Sequence, residues 1–163
     1  MSSSISLTLT NFRCWENKTI TIPSTGIVLL SGRSGRGKST ILNAIVYVIT
    51  GTGKNITTFS KKTTIVEMSI MHDNIPIVIR RTRGPNRLIV KKNDISYEDD
   101  QAQSIIDSIF GTEFCNTSYI DQDNANSFVF KNPASKMDFL ETLLLHAYDI
   151  DGNGGANSNQ YYD

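Results

Sequence analysis

The 163-residue chain carries 16 basic and 16 acidic side chains, a formal net charge of zero, and 39% of its residues are hydrophobic. That is enough apolar material for the core of one globular domain, and the balanced charge removes any argument from overall electrostatics for a polyanionic partner. Two cysteines do not make a disulfide framework, no apolar run approaches the roughly 20 residues that span a bilayer, and Met1-Ser2-Ser3-Ser4 does not open a leader, so a soluble, intracellular chain without a membrane partner is expected.

Ile5, Leu7 and Leu9 alternate with Ser6, Thr8 and Thr10, the pattern of a half-buried strand. Asn11 to Asn17 reads as a polar turn, and Thr19 to Ile22 as the returning strand of a hairpin. Ile27-Val28-Leu29-Leu30 is a continuous apolar run of strand length, the pattern of a strand buried on both faces. A glycine-rich segment follows at once, and then Ile41, Leu42, Ala44, Ile45, Val48 and Ile49 recur at helical spacing up to Gly51, a residue suited to end a helix.

After a polar loop from Lys54 to Lys62, two alternating runs flank the turn His72-Asp73-Asn74. They are Val66, Met68, Ile70 and Ile75, Ile77, Ile79. A third strand, Leu88 to Lys92, lies beyond Gly84-Pro85-Asn86, which completes an antiparallel meander. Ser96 and Asp99 have the spacing of a capping box, ahead of a helix whose stripe is Ile105, Ile106, Ile109 and Phe110 and whose stop is Gly111. Ser118 to Asp121 is expected as a short strand. Asn132-Pro133 opens a last helix with Met137, Leu140, Leu143 and Leu144 on its apolar face. Residues 149–163, rich in Gly and Asn, read as a flexible tail or linker.

Gly32-Arg33-Ser34-Gly35-Arg36-Gly37-Lys38-Ser39 has the spacing G-x-x-x-x-G-K-[ST]. The spacing has a physical reason. Glycines allow the backbone to curl so that successive N–H groups face a phosphate, and the following helix adds the partial positive charge of its N-terminus. Lys38 supplies a full charge, Ser39 offers a hydroxyl to Mg²⁺, and Thr40 is placed to bond a further phosphate. A strand before and a helix after are the frame this P-loop needs. A guanine-reading N-K-x-D is absent, since Asn17-Lys18 precedes the loop and lacks the Asp, and the arginines at 80, 81, 83 and 87 fall in the meander rather than in a kinase lid.

Thr10-Asn11-Phe12-Arg13, the P-loop, and the downstream block Tyr119-Ile120-Asp121-Gln122 with Phe128, Lys131 to Lys136 and Phe139 to Leu144 together resemble the N-terminal lobe of the SMC/SbcC/RecF branch of the ATP-binding-cassette ATPases. The likeness is greatest to the SbcC-type double-strand-break repair ATPase and its phage recombination-endonuclease counterpart. It implies an α/β P-loop fold over residues 1–148, with a mixed sheet and an antiparallel meander. It implies ATP and Mg²⁺ as cofactors. The cofactor-binding residues would be Arg13, Arg33, Ser34, Gly35, Arg36, Gly37, Lys38, Ser39 and Thr40, with Lys38 and Gln122 catalytic and with Ser39 and Gln122 on the metal. The loop Asn55 to Thr64 would lie beside base and ribose. Arg33, Arg36 and Lys136 depart from the residues usual in the family, and none of these changes removes a group the mechanism needs.

An Asp-Glu strand, an LSGG-like segment and a switch histidine, all needed for hydrolysis in this class, do not follow Leu145. The resemblance therefore implies half of an active site. It would be completed by a C-terminal lobe and a second subunit, with a homodimer on ATP binding, a nuclease subunit and non-specific DNA as further partners. Six cations between Arg80 and Lys92 could meet DNA phosphates, but alternation puts some of them on opposite faces, and a solvated hairpin tip is the alternative. The alternatives are a structural or loader ATPase without nuclease, a non-catalytic DNA-binding module with a vestigial P-loop, and a metabolite kinase. Asp149 to Gly154 matches part of a calcium loop but lacks the closing Glu, so a linker is the better reading.

Overall fold

A computed structural model describes residues 4–120 and 132–150 of the chain. The chain divides into two compact units, Met1–Phe114 and Cys115–Asp163.

In the first unit β1 (Ser4–Phe12) and β2 (Trp15–Pro23) form a hairpin, and α1 (Lys38–Thr50) follows the glycine loop. Then come β3 (Thr64–His72), β4 (Ile75–Arg83), β5 (Arg87–Lys92), β6 (Ile95–Glu98) and α2 (Asp99–Phe110). The strands make one sheet in the order β2-β1-β3-β4-β5-β6. Alternation explains which way it faces. Leu7, Met68, Ile79 and Val90 stand in register across four strands, and all are buried. The neighbouring row, Thr8, Glu67, Arg80 and Ile89, lies on the opposite face. Ala44 and Val48 of α1 and Ala102 and Ile106 of α2 join the first set in a single core. Burying each Val, Leu, Ile or Met side chain of this set contributes about 1.5–3 kcal/mol, and each alanine less.

Two tight turns set the register of the meander. Asp73-Asn74 and Asn93-Asp94 both take left-handed φ, between 51° and 62°, the geometry that matches the twist of a two-residue hairpin. The second of these turns corrects an expectation. It folds Ile95–Glu98 back onto β5, so Ser96 is a strand residue paired with Lys91 and does not cap α2. Glu98 occupies the cap position without a side-chain bond, and Asp99 Oδ1 accepts from the Leu88 amide at 3.3 Å.

Three further expectations are corrected. The polar turn between β1 and β2 is only Arg13-Cys14, because Phe12 and Trp15 pair across it. The sheet is antiparallel at every pairing instead of mixed. The reason is that Ile27–Leu30 forms no strand: both edges of β1 are taken, by β2 and β3, and no described residue pairs with the segment. Ile27 is 103% and Leu29 85% exposed, so this run stands in solvent where a central strand was expected.

In the second unit residues 118–120 form no strand, and a single helical turn, α3 (Phe114–Thr117), ends just before them. Helix α4 (Pro133–Ile150) starts as expected: Asn132 Oδ1 accepts from the Ser135 amide at 2.8 Å, satisfying an orphan donor of the first turn. Met137 and Leu140, expected on an apolar face, are both exposed. The tail and the partial calcium loop, both expected from Asp149, begin inside α4, because Asp149 and Ile150 are its last two residues; residues 151–163 lie outside the described residues. No described helix is long and apolar enough to cross a membrane.

Candidate functional site: the glycine loop at the start of α1

Seven residues of the expected cradle, Arg33, Ser34, Gly35, Arg36, Gly37, Lys38 and Ser39, form a continuous turn into the first turn of α1. Gly35 (φ 75°) and Gly37 (φ 82°) are left-handed, which lets the backbone reverse twice within three residues. Gly37 is the N-cap of α1 and gives it no side-chain cap, and the first turn holds no acidic residue. The N-terminal amides and the partial positive charge of a 13-residue helix are therefore offered to a ligand. Lys38 Nζ folds back over the loop and donates to Gly32 O at 2.8 Å and Arg33 O at 2.9 Å. An ammonium held this way sits inside the curl of the loop, where an anion would meet it. Arg33, Ser34, Arg36 and Ser39 are exposed, whereas Thr40 is buried.

The hairpin tip covers the loop. A Cβ built on Gly37 would lie 2.8 Å from Trp15 Nε1 and 3.0 Å from Cys14 Sγ, so only glycine fits there. Cys14 Sγ is also 3.6 Å from Thr40 Oγ1. Trp15 Nε1 is buried without a hydrogen-bond partner, and Lys18 Nζ lies 5.4 Å from the indole centroid. Neither Cys14 nor Trp15 stood out in the sequence as a site residue. A single tryptophan immediately beyond Phe12-Arg13-Cys14 was the available signal.

Arg13 sits at this tip with φ 49°. Its backbone amide donates to Ile56 O at 2.6 Å, and Nη2 reaches Lys54 O at 3.4 Å. Its Nε is buried without a partner. The structure thus joins Arg13 to the loop after α1. That loop is fastened again by the Phe12–Thr57 bridge and by Thr58 N donating to Asn11 O at 2.9 Å. The 55–64 segment and the glycine loop therefore adjoin one hairpin tip. On it Ile56 is buried and Phe59 is 94% exposed. Gln122 lies outside the described residues, as do Asp121 and Phe128.

The far end of α1 is fixed differently. Arg81 Nε donates to Val48 O at 3.1 Å and Nη2 to Ile49 O at 3.2 Å, and Nη2 also donates to Gln103 Oε1. Gln103 Nε2 donates to Ile49 O at 3.2 Å and to Asp107 Oδ1 at 2.8 Å. Burial holds the Arg81 guanidinium below its usual pKa, against the opposing pull of Tyr47 and Asp107, and burial likewise raises the Tyr47 phenol. The cations of residues 80–92 are divided between the two faces of the sheet, as their alternation implies. Arg81 is consumed as a helix cap, Arg83 donates to Gly53 O at 3.1 Å, and Arg80 pairs with Glu67 at 3.8 Å on the opposite face. Among the described residues no three His, Cys, Asp or Glu side chains converge as a metal cluster.

A family model described as an AAA domain matches residues 6–151. Uncharacterized protein 050L of Invertebrate iridescent virus 6 is 34% identical over 139 residues, covering 85% of this chain and 12% of that protein. The DNA double-strand break repair Rad50 ATPase of Methanocaldococcus jannaschii is 28% identical over 148 residues, covering 83% of this chain and 15% of that one. The chain thus spans less than a fifth of the length of these relatives. A solved chain from work on ATP-driven dimerization and DNA-stimulated activation of SMC ATPases superposes with a TM-score of 0.61 at 18% identity, covering 86% of this chain and 98% of that chain.

Proposed function

The chain belongs to the AAA domain family and has the fold of an SMC/Rad50-type ATPase lobe, and from that premise we propose that it binds MgATP through the glycine loop as the first half of a DNA-repair ATPase. The observation that carries this reading is the pairing of Lys38 with the carbonyls of Gly32 and Arg33 at the uncapped start of α1. An incoming triphosphate exchanges those acceptors for its own oxygens, and the loop amides and helix dipole stabilise its charge. Arg33, Ser34, Gly35, Arg36 and Gly37 line the curl, Thr40 closes it, and Arg13 approaches from the hairpin tip.

The donor set fits magnesium held mostly by the nucleotide. Mg²⁺ keeps waters and phosphate oxygens and takes one or two protein groups. Ser39 offers a hydroxyl, and Gln122 offers an amide oxygen. Bound there, the ion would offset charge on the phosphates, while Lys38 and Gln122 orient the group to be transferred. The exposed run Ile27–Leu30 is the face on which a C-terminal lobe docks. A second copy then closes over the nucleotide, and the assembly controls a nuclease on DNA. On its own the chain hydrolyses ATP very slowly. Arg87 and Lys91, on or beside the open face of the sheet, supply non-specific phosphate contacts.

Calorimetric titration of MgATP tests this reading. Lys38→Ala is expected to lose at least about tenfold in affinity, which is about 1.4 kcal/mol. Equal binding by the variant and the original chain would refute it.

A further inference from the structure

The two ends of α1 are held by unlike means. At the N-terminal end the cap is a glycine without side-chain bonds, and the segment before it, from Ile27 to Arg36, is almost wholly exposed. At the C-terminal end a guanidinium from β4 and an amide from α2 take the last carbonyls, through three hydrogen bonds to Val48 and Ile49. Gly51 is shaped to the same contact. Its φ is 74°, and a Cβ there would lie 2.8 Å from Arg81 Nη1. A cation at this end also complements the helix dipole.

We propose that Arg81 is a positioning residue for nucleotide binding, setting through the rigid length of α1 where Lys38, Ser39 and Thr40 stand at its other end. This rests on the function proposed above. A 13-residue α-helix is about 20 Å long and stiff along its axis, so a shift of its last turn is carried to its first. Apolar packing of Ala44 and Val48 is non-directional and tolerates small slides along the sheet. The forked bonds of Arg81 are directional and fix the helix along its axis. Gln103, bonded to Arg81, Ile49 and Asp107 together, ties the same point to α2. Movement of β4 or α2 is thereby transmitted to the phosphate loop.

The test compares the original chain with Arg81→Lys, Arg81→Met, Gln103→Leu and a control, Glu67→Gln, which changes a charge on the opposite face of the sheet. MgATP affinity is measured by calorimetry, and hydrogen exchange is followed without nucleotide at the Ile41–Ile45 amides, the first that α1 bonds internally. The Arg81 variants are expected to bind about twofold to thirtyfold more weakly, the range of couplings carried through packed elements. They should also exchange faster at the Ile41–Ile45 amides, with the control unchanged. Arg81→Lys keeps the charge and loses the fork, and with Gln103→Leu it decides the matter should Arg81→Met fail to fold. If both bind MgATP like the original chain, with faster exchange confined to the Val48–Gly51 turn, Arg81 is a helix cap only and the inference is overturned. An original chain that binds no MgATP removes the proposed function and this inference together, and the first titration shows that separately.

Discussion

At the scale of single residues, the glycine loop depends on contacts that no linear motif records. Gly37 is required twice, by its left-handed φ and by the indole of Trp15 against it. Gly37→Ala should cost about 1–2 kcal/mol from the backbone alone, displace Trp15, and weaken MgATP binding, as read by thermal unfolding and titration. Wild-type stability and affinity in this variant would show that the loop tolerates a Cβ after all. Trp15 is the sole tryptophan and touches the loop, so its emission should change when MgATP binds and should not change in Lys38→Ala. Nucleotide bound without any change in emission would place the ligand elsewhere. The motif from Gly32 to Thr40 was legible because its chemistry is contiguous. Cys14 and Trp15 were not, since they reach Gly37 only through the folding of a hairpin.

At the scale of elements, period and turn chemistry explain what could be read in advance. The alternation of Leu7 and Leu9, the paired runs around Asp73-Asn74, and the spacing from Ile41 to Ile49 ahead of Gly51 all became the expected strands and helix. The strand β6 was missed because Asn93-Asp94 was not read as a hairpin turn, and a capping pattern at Ser96 competed with it. The segment Ile27–Leu30 failed for another reason. An apolar run reports that a side chain is to be covered, without saying by what, and here no described strand pairs with it. Leu29→Lys should therefore leave the thermal stability of the chain within about 0.5 kcal/mol of the original, since the position makes no core contact. It should also reduce concentration-dependent self-association measured by light scattering, because it breaks an exposed apolar patch. A large loss of stability would mean that the run is part of the core.

At the scale of the whole molecule, the glycine loop belongs to the first compact unit and Gln122 to the sequence of the second. Family membership covers both, since the matching model runs from residue 6 to residue 151. The proposal that both Lys38 and Gln122 serve MgATP binding is the claim on which the rest depends, and magnesium is the group through which Gln122 would act. The most direct measurement is MgATP affinity for the original chain, Lys38→Ala and Gln122→Ala, each with magnesium and with EDTA. The account predicts that Lys38→Ala is weak in both conditions, while Gln122→Ala matches the original chain in EDTA and loses only the magnesium-dependent part. A Gln122→Ala chain that gains as much affinity from magnesium as the original would contradict it.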